Sequence, residues 1–101
     1  MSRMRRHAGD AAQLMKALAN ERRLEILCLL AERDRTVGEL HALLDLSQPA
    51  VSQHLAVLRE DGIVTTTRQA QTVVYRLAQG PAGRIIATLH DIYCNAAHPS
   101  R

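Results

Sequence analysis

The chain contains no phenylalanine or tryptophan, and its only aromatic side chains are Tyr75 and Tyr93. A core without large rings has to be built from Leu, Ile, Val and Ala, which suits packed helices. Cysteine is almost as scarce, with Cys28 and Cys94 alone. No apolar run reaches the length of a signal peptide or a membrane span, although the start "MSRMRRHAGD" is basic. The expected location is therefore the cytoplasm, with no membrane partner. There a permanent structural disulfide is disfavoured, so the two thiols are either inert packing or redox chemistry. There is no glycine-rich phosphate loop and no nucleophile–base–orienter set, so neither an enzyme nor a bound cofactor is expected. Internal repeats and low-complexity segments are also missing.

Thirteen Lys and Arg against ten Asp and Glu leave a formal charge of +3, a mild surplus that is compatible with a polyanionic partner without proving one. At 101 residues the chain is expected to be one domain whose modest aliphatic core is completed by dimerisation. Residues 1–9 read as a flexible basic arm, 10–97 as the domain, and 98–101 as a loose tail.

Apolar spacing and capping residues divide the domain. Ala11–Ala19 reads as a helix with Asp10 as N-cap and Leu14 and Leu18 on one face. Asn20 caps a second helix, Glu21–Glu32, with Leu24, Leu27, Cys28 and Ala31 at helical spacing. "RDR" reads as a turn. Thr36 and Glu39 form a capping box for a helix through about Leu44, with Leu40, Leu43 and Leu44 inward. Ser47 caps the next helix, Gln48 to about Asp61, in which Pro49 is tolerated in the first turn; Gly62 ends it. The β-branched run "IVTTTRQAQTVVYRL" predicts a hairpin, Ile63–Arg68 and Thr72–Leu77, joined near Gln69–Ala70–Gln71. A last helix starts at Pro81 or Ala82 and runs to about Ala96. The order α-α-α-α-β-β-α, mainly α with a small β-hairpin, describes a winged helix-turn-helix.

In "LSQPAVSQHLAVLREDGIV" the aliphatics Val51, Leu55 and Leu58 form one buried stripe. Gln48, Ser52 and Gln53 point away from it, and His54 lies at its margin. A helix that only filled a core would not need them. Gln pairs with adenine edges, Ser bonds base edges or phosphate, and Ser47 with the free amides at the helix start suits a phosphate. Arg68, Gln69 and Gln71 stand at the hairpin tip, where a wing lies along the DNA backbone or minor groove. The bland alternatives are a solvated helix face, a half-buried satisfied His54 and a solvated turn arginine. Taken together, the pattern points to a domain that binds double-stranded DNA.

His90 and Cys94 lie at i and i+4 on the last helix, with His98 at i+8 if the helix persists. The outer two lie ~12 Å apart along the axis and cannot share one ion. One adjacent pair joined by ligands from a second subunit is the zinc alternative. His90 also stands where it could tune the Cys94 thiol.

The segments "LMKALANERRLEILCLL", "TVGELHALLDLSQPAVSQHLAVLREDGIV" and "RQAQTVVYRL" resemble the ArsR/SmtB family of winged-helix regulators over nearly the whole chain. Within it, Cys28 in "LEILCLL", Cys94 in "LHDIYC" and "QAQTVVY" are similar to the BigR/SqrR persulfide-sensing and HlyU branch. The resemblance implies a homodimer formed by the first and last helices, binding an inverted-repeat operator. It also implies that a small sulfur species or oxidant acts as inducer on Cys28 and Cys94 as a redox-sensing pair, joined as a disulfide or polysulfide bridge. The metal-sensing members carry a C-x-C box before the recognition helix. Here that segment is "TVGELHALLDL", without cysteine, which disfavours a site of that type. Repression is the implied outcome, with a metal-responsive repressor or an activator that displaces a silencer as alternatives.

Overall fold

The structure is a computed structural model that describes residues 2–94. Its elements are α1 (Ser2–Leu18), α2 (Glu21–Glu32), β1 (Arg35–Thr36), α3 (Val37–Leu43), α4 (Gln48–Glu60), β2 (Val64–Gln69), β3 (Thr72–Leu77) and α5 (Pro81–Tyr93). The expected tail over 98–101 and the last turn toward Ala96 lie outside the described residues.

α1 begins well before the expected start at Ala11. It is helical from Ser2, and Asp10 lies inside it and is not its cap. Arg, Met, Ala, Gln and Leu dominate this stretch and all favour helix, so the single Gly9 costs too little to break it. Residues 3–13 are nevertheless exposed; only Leu18 of this helix is fully buried, with Leu14 and Ala17 against the core.

α2 starts where Asn20 accepts a hydrogen bond from the Arg23 amide at 3.0 Å. Its buried residues are Ile26, Leu27 and Leu30, so the inward face is centred differently from the expected Leu24, Leu27, Cys28 and Ala31 stripe. Cys28 is left half-buried at the edge of that face.

The "RDR" turn contains a strand. Arg35 and Thr36 pair with Tyr75 and Val74 of β3, giving an antiparallel sheet in the order β1-β3-β2. A two-residue strand has no periodicity to detect; its partner defines it. Arg35 is only 8% exposed. A buried guanidinium needs partners, and it donates to the Leu29 carbonyl at 2.9 Å and the Glu32 carboxylate at 2.8 Å.

The capping box forms as its spacing predicts: Thr36 Oγ1 accepts from the Glu39 amide at 3.1 Å, and Glu39 accepts from the Thr36 amide at 2.9 Å. Leu40 is buried, but Leu43, expected inward, is 55% exposed. The seven-residue helix turns only one apolar position fully into the core, and the chain leaves it at Leu44. α4 places Val51, Leu55 and Leu58 in the core. Gly62 ends it in the left-handed region, φ +76°, where a side chain would be strained.

β2 and β3 pair from Val64↔Leu77 to Gln69↔Thr72, with Ala70–Gln71 as the turn. α5 has Pro81 in its first turn and contributes Ile86 to the common core. Gly83 permits its approach to the end of β3, since an added Cβ would meet the Ala78 carbonyl oxygen at 2.7 Å. α3, the short break and α4, followed by the hairpin, make a winged helix-turn-helix. No helix of the described residues is long and apolar enough to cross a membrane.

Leu55→Ala is expected to lower the unfolding free energy by about 2–5 kcal/mol, as a fully buried side chain leaves a cavity. Leu43→Ala should change it by less than about 0.5 kcal/mol. Urea unfolding of both variants checks the two depths of burial.

Candidate nucleic-acid interface and dithiol site

The polar side of α4 is built by its own cap. Ser47 Oγ accepts from the Ala50 amide at 3.2 Å, which starts the helix and leaves the following polar residues in fixed register. Gln48, Ser52 and Gln53 are exposed, and His54 is half-buried. Among the described residues, the side chains of Gln48, Ser52 and Gln53 make no hydrogen bond within the chain. The helix start is less open to an anion than its sequence implies. Pro49 has no N–H, Ala50 N is taken by Ser47 Oγ, and Val51 N bonds the Ser47 carbonyl at 3.1 Å. Only the Gln48 amide remains there.

Arg68, Gln69 and Gln71 are exposed at the end of the hairpin. Arg76, farther from the tip, faces Asp34 at 3.6 Å. The one cation at the tip, Arg68, and the polar helix face are therefore on separate elements, joined where α4 packs on β2.

The second constellation lies between α2 and α5. Cys28 is half-buried and Cys94 is exposed, both as free thiols. The fold brings them together across the two helices, close enough for Cys94 to act on the Cys28 thiol. Burial pushes the Cys28 thiol from its ordinary 9.0 up to about 11, assisted by the charge and hydrogen bond of Cys94 and by the charge of Glu32. Cys94 is the C-cap of α5, its amide bonded to the His90 carbonyl at 2.8 Å.

One turn along each helix is a second contact that sequence reasoning missed. His90 Nε2 lies 3.1 Å from Glu32 Oε2, and Glu32 Oε1 accepts from Arg35. The His90 hydrogen bond is the main cause that holds the Glu32 carboxyl below its ordinary 4.5, with Arg35 adding to it. The signal was present in the spacing: Glu32 follows Cys28 by four residues, and His90 precedes Cys94 by four. What the sequence lacked was the pairing of the two helices. Among the described residues, no group of three His, Cys, Asp or Glu side chains converges on a point that could hold a metal. His98, the third member of the zinc alternative, lies outside the described residues.

Comparison with known proteins follows the same lines. A model of the family described as bacterial regulatory protein, arsR family, matches residues 20–66. The transcriptional activator HlyU of Vibrio cholerae is 49% identical over 96 residues, covering 95% of this chain and 89% of that protein. The biofilm growth-associated repressor of Agrobacterium fabrum is 48% identical over 91 residues, covering 90% and 78%. The crystal structure of the transcriptional repressor BigR from Xylella fastidiosa superposes with a TM-score of 0.87 at 37% identity, covering 99% of this chain and 97% of that one.

The Cys28 environment makes a titration expectation. The pH profile of Cys28 alkylation, followed by peptide mass spectrometry, should have its midpoint near 11 in the reduced protein. In Cys94→Ser the midpoint should fall, because a neighbouring thiolate is removed, but stay above 9.0 because burial persists.

Proposed function

Because the chain belongs to the ArsR family of bacterial transcriptional regulators, we propose that it is a dithiol-switched, DNA-binding regulator. In this reading a homodimer, joined through α1 and α5, presents two α4 helices to an inverted-repeat operator. Joining Cys28 to Cys94 releases it. The observation that carries the reading is the proximity of two free thiols from α2 and α5.

The dimer surface is supported by exposed apolar side chains on those two helices: Met4 and Met15 on α1, Ile92 and Tyr93 on α5. Gln48, Ser52 and Gln53 then read base edges, with Ser47 setting the helix and bonding phosphate through its hydroxyl proton. His54 stands at the margin of that face, and Arg68, Gln69 and Gln71 follow the backbone from the wing.

Cys94 is the entry point, since it is exposed and Cys28 is shielded. Its thiolate attacks the outer sulfur of a persulfide R–S–SH, releasing R–SH and leaving Cys94 as a persulfide. Cys28 then attacks the Cys94 sulfur and expels hydrogen sulfide. Both protein thiols are oxidised to a disulfide, and the sulfur–sulfur bond of the donor is reduced. If Cys28 has also taken up a sulfur, the same displacement leaves a trisulfide. Hydrogen peroxide instead gives a Cys94 sulfenic acid and then the disulfide, with two waters released.

A bridge ties the end of α5 to α2, and α5 also carries the proposed interface. Half-sites stand one DNA turn, ~34 Å, apart, so a small change in the pairing of subunits mismatches the two α4 helices. A differential of about 1–3 kcal/mol suffices for a 5–150-fold change in affinity. The outcome at a promoter depends on what the operator overlaps: a dimer that excludes polymerase represses, and one that displaces a silencer activates. One of the relatives named above is called an activator and another a repressor.

Reduced protein treated with glutathione persulfide, tetrasulfide or peroxide should lose operator affinity in step with the mass of a Cys28–Cys94 product. That mass carries added sulfur for a polysulfide bridge, or the loss of two hydrogens for a disulfide. Cys28→Ser and Cys94→Ser should bind operator and fail to respond; a response retained in either variant refutes the pair. Separately, Gln53→Ala should cost about 1–3 kcal/mol of operator binding and little on nonspecific DNA, and Arg68→Ala should flatten the salt dependence on both, as titrations at several salt concentrations would show.

A further inference from the structure

The contacts beside the thiols have a separate role. We propose that Glu32 and His90 are positioning residues of the dithiol: a clasp, one helical turn from the sulfurs, that holds the end of α5 in register with α2. This deepens the dithiol reading above and rests on it.

The apolar anchoring of α5 fades toward its end. Ile86 is fully buried and Leu89 packs against the core, but Ile92 is 50% and Tyr93 80% exposed. Cys94 thus sits on a turn that the core does not hold, and helix termini fray. His90 is placed to hold it. Its ring bonds Glu32 of α2 at 3.1 Å, while its carbonyl accepts from the Cys94 amide at 2.8 Å. Fixing the His90 side chain therefore fixes the backbone that carries the exposed thiol.

Glu32 is itself oriented before it meets His90. One carboxylate oxygen accepts from Arg35 at 2.8 Å, and Arg35 is anchored to the Leu29 carbonyl at 2.9 Å. The other oxygen is left for the Nε2 proton of His90. An ionised carboxylate only accepts, so the ring nitrogen facing it carries the proton. Arg35, Glu32 and His90 form one chain of contacts from β1 through α2 to α5. Its last link crosses the same helix pair as the two thiols.

The expected consequence is a higher effective concentration of Cys94 at Cys28, the quantity that pre-positioning changes. It is measured by equilibrating the full-length protein with glutathione. Two protein thiols are oxidised to the disulfide while one oxidised glutathione is reduced to two molecules of glutathione, which take the two protons. His90→Ala should lower the equilibrium constant about threefold, the scale of one partly exposed hydrogen bond. His90→Gln, whose amide can still donate to Glu32, should recover most of that loss. Glu32→Gln, which keeps hydrogen-bonding atoms but loses the charge, should stay near the parent constant and speed Cys28 alkylation at fixed pH. The last effect is one that a purely structural contact would not produce.

An unchanged constant in His90→Ala, or His90→Gln no better than His90→Ala, overturns the clasp. The two readings fail in different ways. Operator retained by fully bridged protein defeats the switch and leaves the clasp; release on bridging with a constant indifferent to His90 defeats the clasp alone.

Discussion

The packing of α5 across α2 is the contact on which the remaining features depend. Ile26, Leu27 and Leu30 from one helix and Ile86 from the other belong to the same buried core. Removal of such aliphatic area from water is the dominant favourable term in a domain with so few aromatics. Once that core is set, the residues at the margin of the contact have few partners within reach. Cys28 meets Cys94, and one turn on Glu32 meets His90. The polar contacts carry that geometry on past Leu89, where apolar burial stops.

Arg35 extends the same arrangement to the sheet. It sits on a strand of two residues, pairs with Tyr75 of the wing strand, and places its guanidinium between the Leu29 carbonyl and Glu32. A charge this buried is costly when unpaired, so the end of α2, the edge of the wing sheet and the clasp are mutually constrained. The N-cap of α3 follows directly in Thr36. A displacement at the end of α5 is therefore close, through packed and hydrogen-bonded neighbours, to elements that support α4.

The face of α4 shows the opposite economy. Its buried side is closed by Val51, Leu55 and Leu58, whereas Gln48, Ser52 and Gln53 are left without a partner in the chain. Polar groups in water cost nothing to leave unpaired, and they become selective only when a partner excludes that water. This side of the helix is thus shaped for something outside the subunit. On α1 and α5 it is apolar side chains, Met4, Met15, Ile92 and Tyr93, that are left exposed.

Local chemistry was legible from the residues alone. The Asn20, Thr36 and Ser47 caps, the α4 stripe and the β2–β3 hairpin follow from side chains within a few positions of one another, so spacing reveals them. The same holds for the polar residues of α4 and the tip of the wing. Other features escaped because their cause is distant. β1 exists only through its pairing with β3, and the inward face of α2 is set by what packs on it. Leu43 is exposed because α3 ends before another turn could bury it, and α1 continues through Gly9 because nothing stops it. Two thiols far apart in the chain could be named from the sequence and from family resemblance. Only tertiary packing decided that they touch, and that a carboxylate and an imidazole lie beside them, because the angle at which two helices cross is a property of the whole core and not of either segment.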